Sequence, residues 1–346
     1  MTPIRFCHRL AMFQGLTPND PAEYGFNVGQ AGVDPHTDTD ADAVAQYVAR
    51  IPKSLRVFLA WNPKSSNEVF GGGPDEDWWS QLVVGLGETI DLIEEMDDDP
   101  RAENRVAGLR VNWEYRPSIW PHTPDWEAHL KLVDRALWTY VVYMQKAKWL
   151  KLLEDTKQRV HPVSFLESNT GTEWDKPTND VFRNAYHRWI DYQCMQQAKV
   201  LNRLAEYAMT LWDLPVLLYP GGETSTVSPR LLPRIEYAFD QREFSHAPGS
   251  NILLEAGGWS GRSQSWVESV HSSIRGEFIA TCQVDLTGDG ELDAAADYLQ
   301  RTHMAPNADG QLAAGYGLWS DWNPAANPEL QPAMQRYMND LREVMV

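Results

Sequence analysis

At 346 residues, 43% hydrophobic and 11% aromatic, the chain can bury the core of one barrel or of two ordinary domains. A formal net charge of −18 repels polyanions, which argues against nucleic acid and anionic membrane as partners. It also weighs against a polyanionic glycan unless a groove is locally basic, for which Arg9, Arg110, Arg116, Arg159 and Arg262 are the candidates.

The N-terminus, Met1-Thr2-Pro3-Ile4-Arg5-Phe6-Cys7, runs straight into a β-favouring segment with no signal-peptide apolar core. No apolar stretch reaches membrane-spanning length without charges. The expectation is a cytoplasmic protein, or a secreted one if a leader has been removed. Apolar, β-favouring runs predict strands at 4–13, 55–61, 108–114, 162–167, 215–219, 252–256, 277–284 and 315–319. Helical patterns predict helices at 42–51, 78–96, 126–157, 180–211, 228–239, 263–274, 292–301 and 328–345. This alternation implies an α/β fold with a mainly parallel sheet. Eight strand–helix pairs with no linker-like stretch and no repeat suit a (β/α) TIM-like barrel, a single domain over 1–346.

Three widely spaced cysteines (Cys7, Cys194, Cys282) match no zinc spacing and no disulfide framework, so buried thiols are expected. The nine histidines show no paired spacing. Asp285-Leu286-Thr287-Gly288-Asp289-Gly290 resembles half of a calcium loop, but Ala296 stands where the closing glutamate belongs. Gly71-Gly72-Gly73 lacks the lysine of a phosphate loop. Neither a metal nor a cofactor is expected. The 15 tryptophans are assigned mostly to core. A few near strand ends (Trp61, Trp113, Trp120, Trp174, Trp259, Trp319, Trp322) are available to stack on sugar rings.

The most informative run is Ala107-Gly108-Leu109-Arg110-Val111-Asn112-Trp113-Glu114-Tyr115-Arg116-Pro117-Ser118-Ile119-Trp120. An apolar strand ends there in an amide and a carboxyl two residues apart. Side chains at i and i+2 of a strand share a face, roughly 6.5–7 Å apart. Asn112 and Glu114 therefore look into one pocket, at the strand end where a β/α barrel keeps its chemistry. The run resembles the signature of the hyaluronidases of glycoside hydrolase family 56, a strand reading Asp-x-Glu followed by an aromatic residue and Arg-Pro, with Asn112 in place of the aspartate. Three further stretches are similar to family segments: Glu68-Val69-Phe70-Gly71-Gly72-Gly73-Pro74; Leu211 through Tyr219-Pro220; and Ala313 through Trp319-Ser320-Asp321-Trp322. The Asn-x-Glu pair also looks like that of the endo-β-N-acetylglucosaminidases of glycoside hydrolase family 85. The family's second pocket tyrosine has no counterpart at Phe165-Leu166-Glu167-Ser168, and the paired cysteines of the animal enzymes are absent.

The resemblance implies a retaining glycoside hydrolase acting on β-linked 2-acetamido sugars, in hyaluronan-like, chondroitin-like or N-acetylglucosamine-containing oligosaccharides and polysaccharides. In such substrate-assisted catalysis the sugar's own acetamido group attacks the anomeric carbon, and the second protein residue only orients it. Glu114 is then the acid and base, with a pKa raised by burial among Trp113, Tyr115 and Trp120. Asn112 orients the acetamido group, and Tyr219 and Trp319 shape the sugar subsite. Trp113, Tyr115, Glu167, Glu255 and Trp322 complete the candidate substrate-binding set. Two rivals stand beside this reading. One is a hydrolase pairing Glu114 with Glu167 or Glu255, each at the end of an expected strand. The other is a carbohydrate-binding pseudoenzyme that keeps the aromatic groove.

Overall fold

The structure is a computed structural model, and it describes residues 10–14, 26–33, 40–62, 76–112, 201–219, 250–259, 261–284, 291–319, 328 and 331–345. Eight strands close into a barrel: β1 (Leu10–Gln14), β2 (Val28–Val33), β3 (Arg56–Trp61), β4 (Val106–Asn112), β5 (Val216–Tyr219), β6 (Ile252–Trp259), β7 (Phe278–Gln283) and β8 (Gly315–Trp319). Every neighbouring pair is parallel, and β1 closes the ring against β8 from Leu10↔Gly315 to Gln14↔Trp319. The (β/α) TIM-like barrel expected from the alternation is the observed architecture.

Two strand assignments change. β2, Val-Gly-Gln-Ala-Gly-Val, was not expected, because two glycines and a glutamine break its apolar pattern. β4 hydrogen-bonds directly to β5 from Leu109↔Val216 to Asn112↔Tyr219. The strand expected at 162–167 lies outside the described residues. β6 also continues past the expected 256 to Trp259, so Glu255 sits mid-strand rather than at its end.

Alternation along each strand sorts the core into an inside and an outside. Leu10, Met12, Val28, Phe58, Ala107, Leu217, Leu253 and Ile279 fill the N-terminal half of the barrel interior. Val57, Leu59, Trp61, Leu109, Val111, Val216, Leu218 and Leu254 point outward into a second cluster shared with the helices. Trp61, expected near a sugar groove, is part of that outer core. A register shift at Val57/Phe58 lets Gly108, Arg110 and Asn112 follow the interior face, between the outward Leu109 and Val111. Gly108 is required there. A Cβ on it would lie 2.4 Å from the Pro215 carbonyl oxygen and 2.6 Å from the Phe58 ring.

The helices supply the outer layer. In α1 (Ala41–Arg50) the buried Ala41, Val44, Ala45 and Val48 fall on one helical stripe, and the Asp40 side chain caps the start by accepting from the Ala43 amide at 2.8 Å. α2 (Glu76–Asp97) buries Leu82, Leu86, Ile90, Ile93 and Met96 at similar spacing. Full burial of one such side chain contributes about 1.5–3 kcal/mol. α3 (201–211), α4 (Gln264–His271), α5 (Glu291–His303) and α6 (Gln331–Met345) complete the described set. At the N-terminal end of the barrel, Arg105 donates to the carbonyls of Leu55, Ile51 and Pro52 at 2.9, 3.1 and 2.8 Å, tying the start of β4 to the α1–β3 turn. Asn104 and Asn251 take positive φ (60° and 61°) in the turns before β4 and β6, a conformation that asparagine tolerates well. Among the described residues no helix is long and apolar enough to cross a membrane.

Candidate active site

The C-terminal ends of β3, β4 and β5 bring together residues from distant parts of the sequence, and β8 adds Trp319 elsewhere on the same rim. Asn112 closes β4 and Tyr219 closes β5, and the two are register partners on adjacent strands. Parallel neighbours lie about 4.8 Å apart, so both side chains rise from the same part of the barrel rim. Asn62 immediately follows β3, and its Oδ1 accepts a 2.7 Å hydrogen bond from Nδ2 of Asn112. The other end of that amide, Oδ1 of Asn112, is buried and takes no hydrogen bond from any described residue. Trp319 ends β8, between Gln283 and Gln14 in register, and is 42% exposed.

One step down from Asn112 on the same face is Arg110. Its Nε donates to Oε2 of Glu255 at 2.7 Å, and the two side chains are 4% and 1% exposed. The guanidinium carbon lies 4.0 Å from the centroid of the Tyr219 ring. A cation held against an aromatic face in a desolvated setting is favourable by about 2 kcal/mol. Arg110 and Glu255 thus form a neutralised floor, with Tyr219 against it.

This geometry revises several expectations. Glu255 is an internal partner of Arg110 instead of a strand-end carboxylate, and it is almost wholly buried. Arg110 is likewise removed from any basic patch in the groove. Arg262 stacks over Trp266 with its Cζ 5.4 Å from the ring centroid. Glu114, Trp113, Tyr115, Glu167 and Trp322, with Arg9, Arg116 and Arg159, lie outside the described residues. Cys282 is a buried thiol on β7, and the other two cysteines lie outside the described set. Among the described residues no group of His, Cys, Asp or Glu is arranged to hold a metal.

Asn62, the hydrogen-bond partner of Asn112, was not singled out in the sequence. Its signal was an asparagine directly after an apolar strand, but its neighbour depends on register. Trp61 pairs with Val111, so the next residue of β3 comes beside Asn112.

No protein-family model matches the chain, and no curated protein matches it. Solved structures that align with it include the PgaB (BpsB) glycoside hydrolase domain from Bordetella bronchiseptica, at 12% identity and a TM-score of 0.44, covering 98% of each chain. An L-ribulose 3-epimerase aligns at 12% identity and TM-score 0.39 over 97% of this chain and 95% of its own. A psychrophilic family 10 endo-β-1,4-xylanase aligns at 10% and 0.38 over 90% and 86%. Likeness at this level does not distinguish a hydrolase from an epimerase, and the functional reading rests on the site residues.

Proposed function

We propose that the chain is a retaining glycoside hydrolase cleaving β-linked 2-acetamido sugars by substrate-assisted catalysis, as its resemblance to family 56 implies. The observation that supports this reading is the pairing of Asn112 with Tyr219 at the C-terminal rim, directly before Trp113-Glu114 in the sequence. In the first step the acetamido oxygen of the sugar bonds to C1 while the glycosidic C1–O bond breaks. The Glu114 carboxyl gives its proton to the leaving oxygen. The positive charge then resides on an oxazoline ring. In the second step the Glu114 carboxylate takes a proton from water as that water attacks C1, reopening the ring with net retention. Asn112 is neutral, so it cannot be a nucleophile. Its task is to hold the acetamido group within reach of C1, and such positioning accounts for a large part of an intramolecular attack.

A Glu–Glu mechanism has less support. Glu255 is held inside the barrel by Arg110, and Glu167 lies outside the described residues. With Arg110 neutralised, the −18 charge favours neutral N-acetylglucosamine oligomers over hyaluronan-like polyanions.

The test uses an N-acetylglucosamine oligomer and its 2-hydroxyl analogue. Glu114→Gln is expected to lower the rate by about 10²–10⁴ while binding survives. Asn112→Ala is expected to lower turnover more than affinity, on the acetamido substrate only. Glu114→Gln activity within twofold of wild type would remove Glu114 from its role. Equal rates on both substrates would return the two-carboxylate mechanism. Binding without hydrolysis by the wild-type chain would mark a pseudoenzyme.

A further inference from the structure

An asparagine side chain has a donor end and an acceptor end, and which of them meets a ligand depends on what holds the other. In Asn112 the donor end is occupied, since Nδ2 gives its hydrogen bond to Oδ1 of Asn62 at 2.7 Å. The acceptor end, Oδ1, is buried with no hydrogen bond among the described residues. A buried acceptor in that state is destabilising, and at functional sites such a group is commonly satisfied by the ligand.

We propose that Asn62 is a positioning residue that locks the Asn112 amide with its carbonyl oxygen toward the ligand, making this subsite selective for an N–H donor at the sugar 2-position. The proposal rests on the substrate-assisted reading and adds to it the residue that makes asparagine workable at position 112. An aspartate there would present an acceptor oxygen whichever way it turned. Asparagine presents one in only one of two orientations, and in the other its NH₂ would meet the acetamido N–H donor to donor. With the lock in place, the acetamido N–H donates to Oδ1 of Asn112, and the acetamido oxygen stays free to approach C1. The lock comes from the fold. Trp61 pairs with Val111, which sets Asn62 beside Asn112 one residue further along.

Binding of chitotriose and cellotriose to the full chain is measured by calorimetry in the Glu114→Gln background, which holds ligand without turnover. Asn62→Leu is expected to cut the preference for chitotriose about tenfold, the worth of one hydrogen bond at this site. Asn62→Asp can only accept, so it preserves the lock and should keep the preference within about threefold. In an Asn112→Asp background, Asn62→Leu should have little effect on the preference, because an aspartate needs no lock; the cycle isolates the coupling. An unchanged preference in Asn62→Leu, or its loss in Asn62→Asp, overturns the role of Asn62 while the acetamido reading stands. If Asn62→Leu does not fold, Asn62→Ala takes its place, with the same expected loss of preference and the same overturning result. Equal affinity of the parent protein for the two ligands overturns the acetamido reading, and this proposal with it.

Discussion

Arg110 and Glu255 meet at 2.7 Å inside the barrel, 145 residues apart in sequence and one strand apart in space, with β5 between their strands. Both are nearly inaccessible to water, so the Arg110 charge is held against a carboxylate with little help from solvent. Desolvation offsets much of their attraction, so the pair adds little net stability. Removing Glu255 takes that carboxylate from the buried Arg110 guanidinium.

Glu255→Ala is therefore expected to destabilise the protein by about 3–5 kcal/mol, and Arg110→Met/Glu255→Leu together should recover most of that loss. Urea midpoints of the three proteins check this. Glu255→Ala with wild-type stability but no activity would instead return Glu255 to the reaction.

The sheet was legible wherever its strands are apolar without interruption, as in the predicted 315–319, which is β8 residue for residue. β2 was not, because Gly29, Gln30 and Gly32 leave too little apolar pattern to separate from a loop. The strand-end positions of Asn112 and Tyr219 were legible because an apolar run leads up to each. Asn62 and the Arg110–Glu255 pair were not, since their partnerships arise from register and from barrel closure, neither of which one strand's sequence records.

Trp319 is an exposed aromatic among the described rim residues, at 42%. Trp319→Ala is expected to change stability by no more than about 0.5 kcal/mol. It should weaken binding of a neutral N-acetylglucosamine oligomer about tenfold, through lost stacking on the sugar face. Parallel denaturation and calorimetry separate the two effects. Unchanged affinity would take Trp319 out of the subsite.

The neutralised floor also carries a salt prediction. With Arg110 bound to Glu255, binding of a neutral oligomer should change little between low and physiological ionic strength. Hyaluronan oligomers should bind weakly or not at all. Tight, steeply salt-dependent hyaluronan binding would show that arginines outside the described residues form a basic groove.

His271 gives the fold its own acid sensitivity. It ends α4 at 1% exposure, with Nδ1 2.8 Å from the Ala305 carbonyl oxygen and its ring edge-on to Phe278 at 4.8 Å between centroids. Burial pushes its pKa down from the ordinary 6.5 to about 4, opposed in part by the Ala305 carbonyl, which favours the protonated ring. The folded pKa lies below the unfolded one, so between these values the unfolded chain binds more protons. The contribution of neutral His271 is complete above about pH 6.5 and declines as pH falls. Its loss is complete below about 4, and the shift is worth about 3 kcal/mol in all. His271→Gln keeps a donor for the Ala305 carbonyl but cannot titrate. Its urea stability should fall less steeply than that of wild type between pH 6.5 and 4. Parallel stability profiles for the two proteins over that range would mean that His271 is protonated without cost and that the acid sensitivity lies elsewhere.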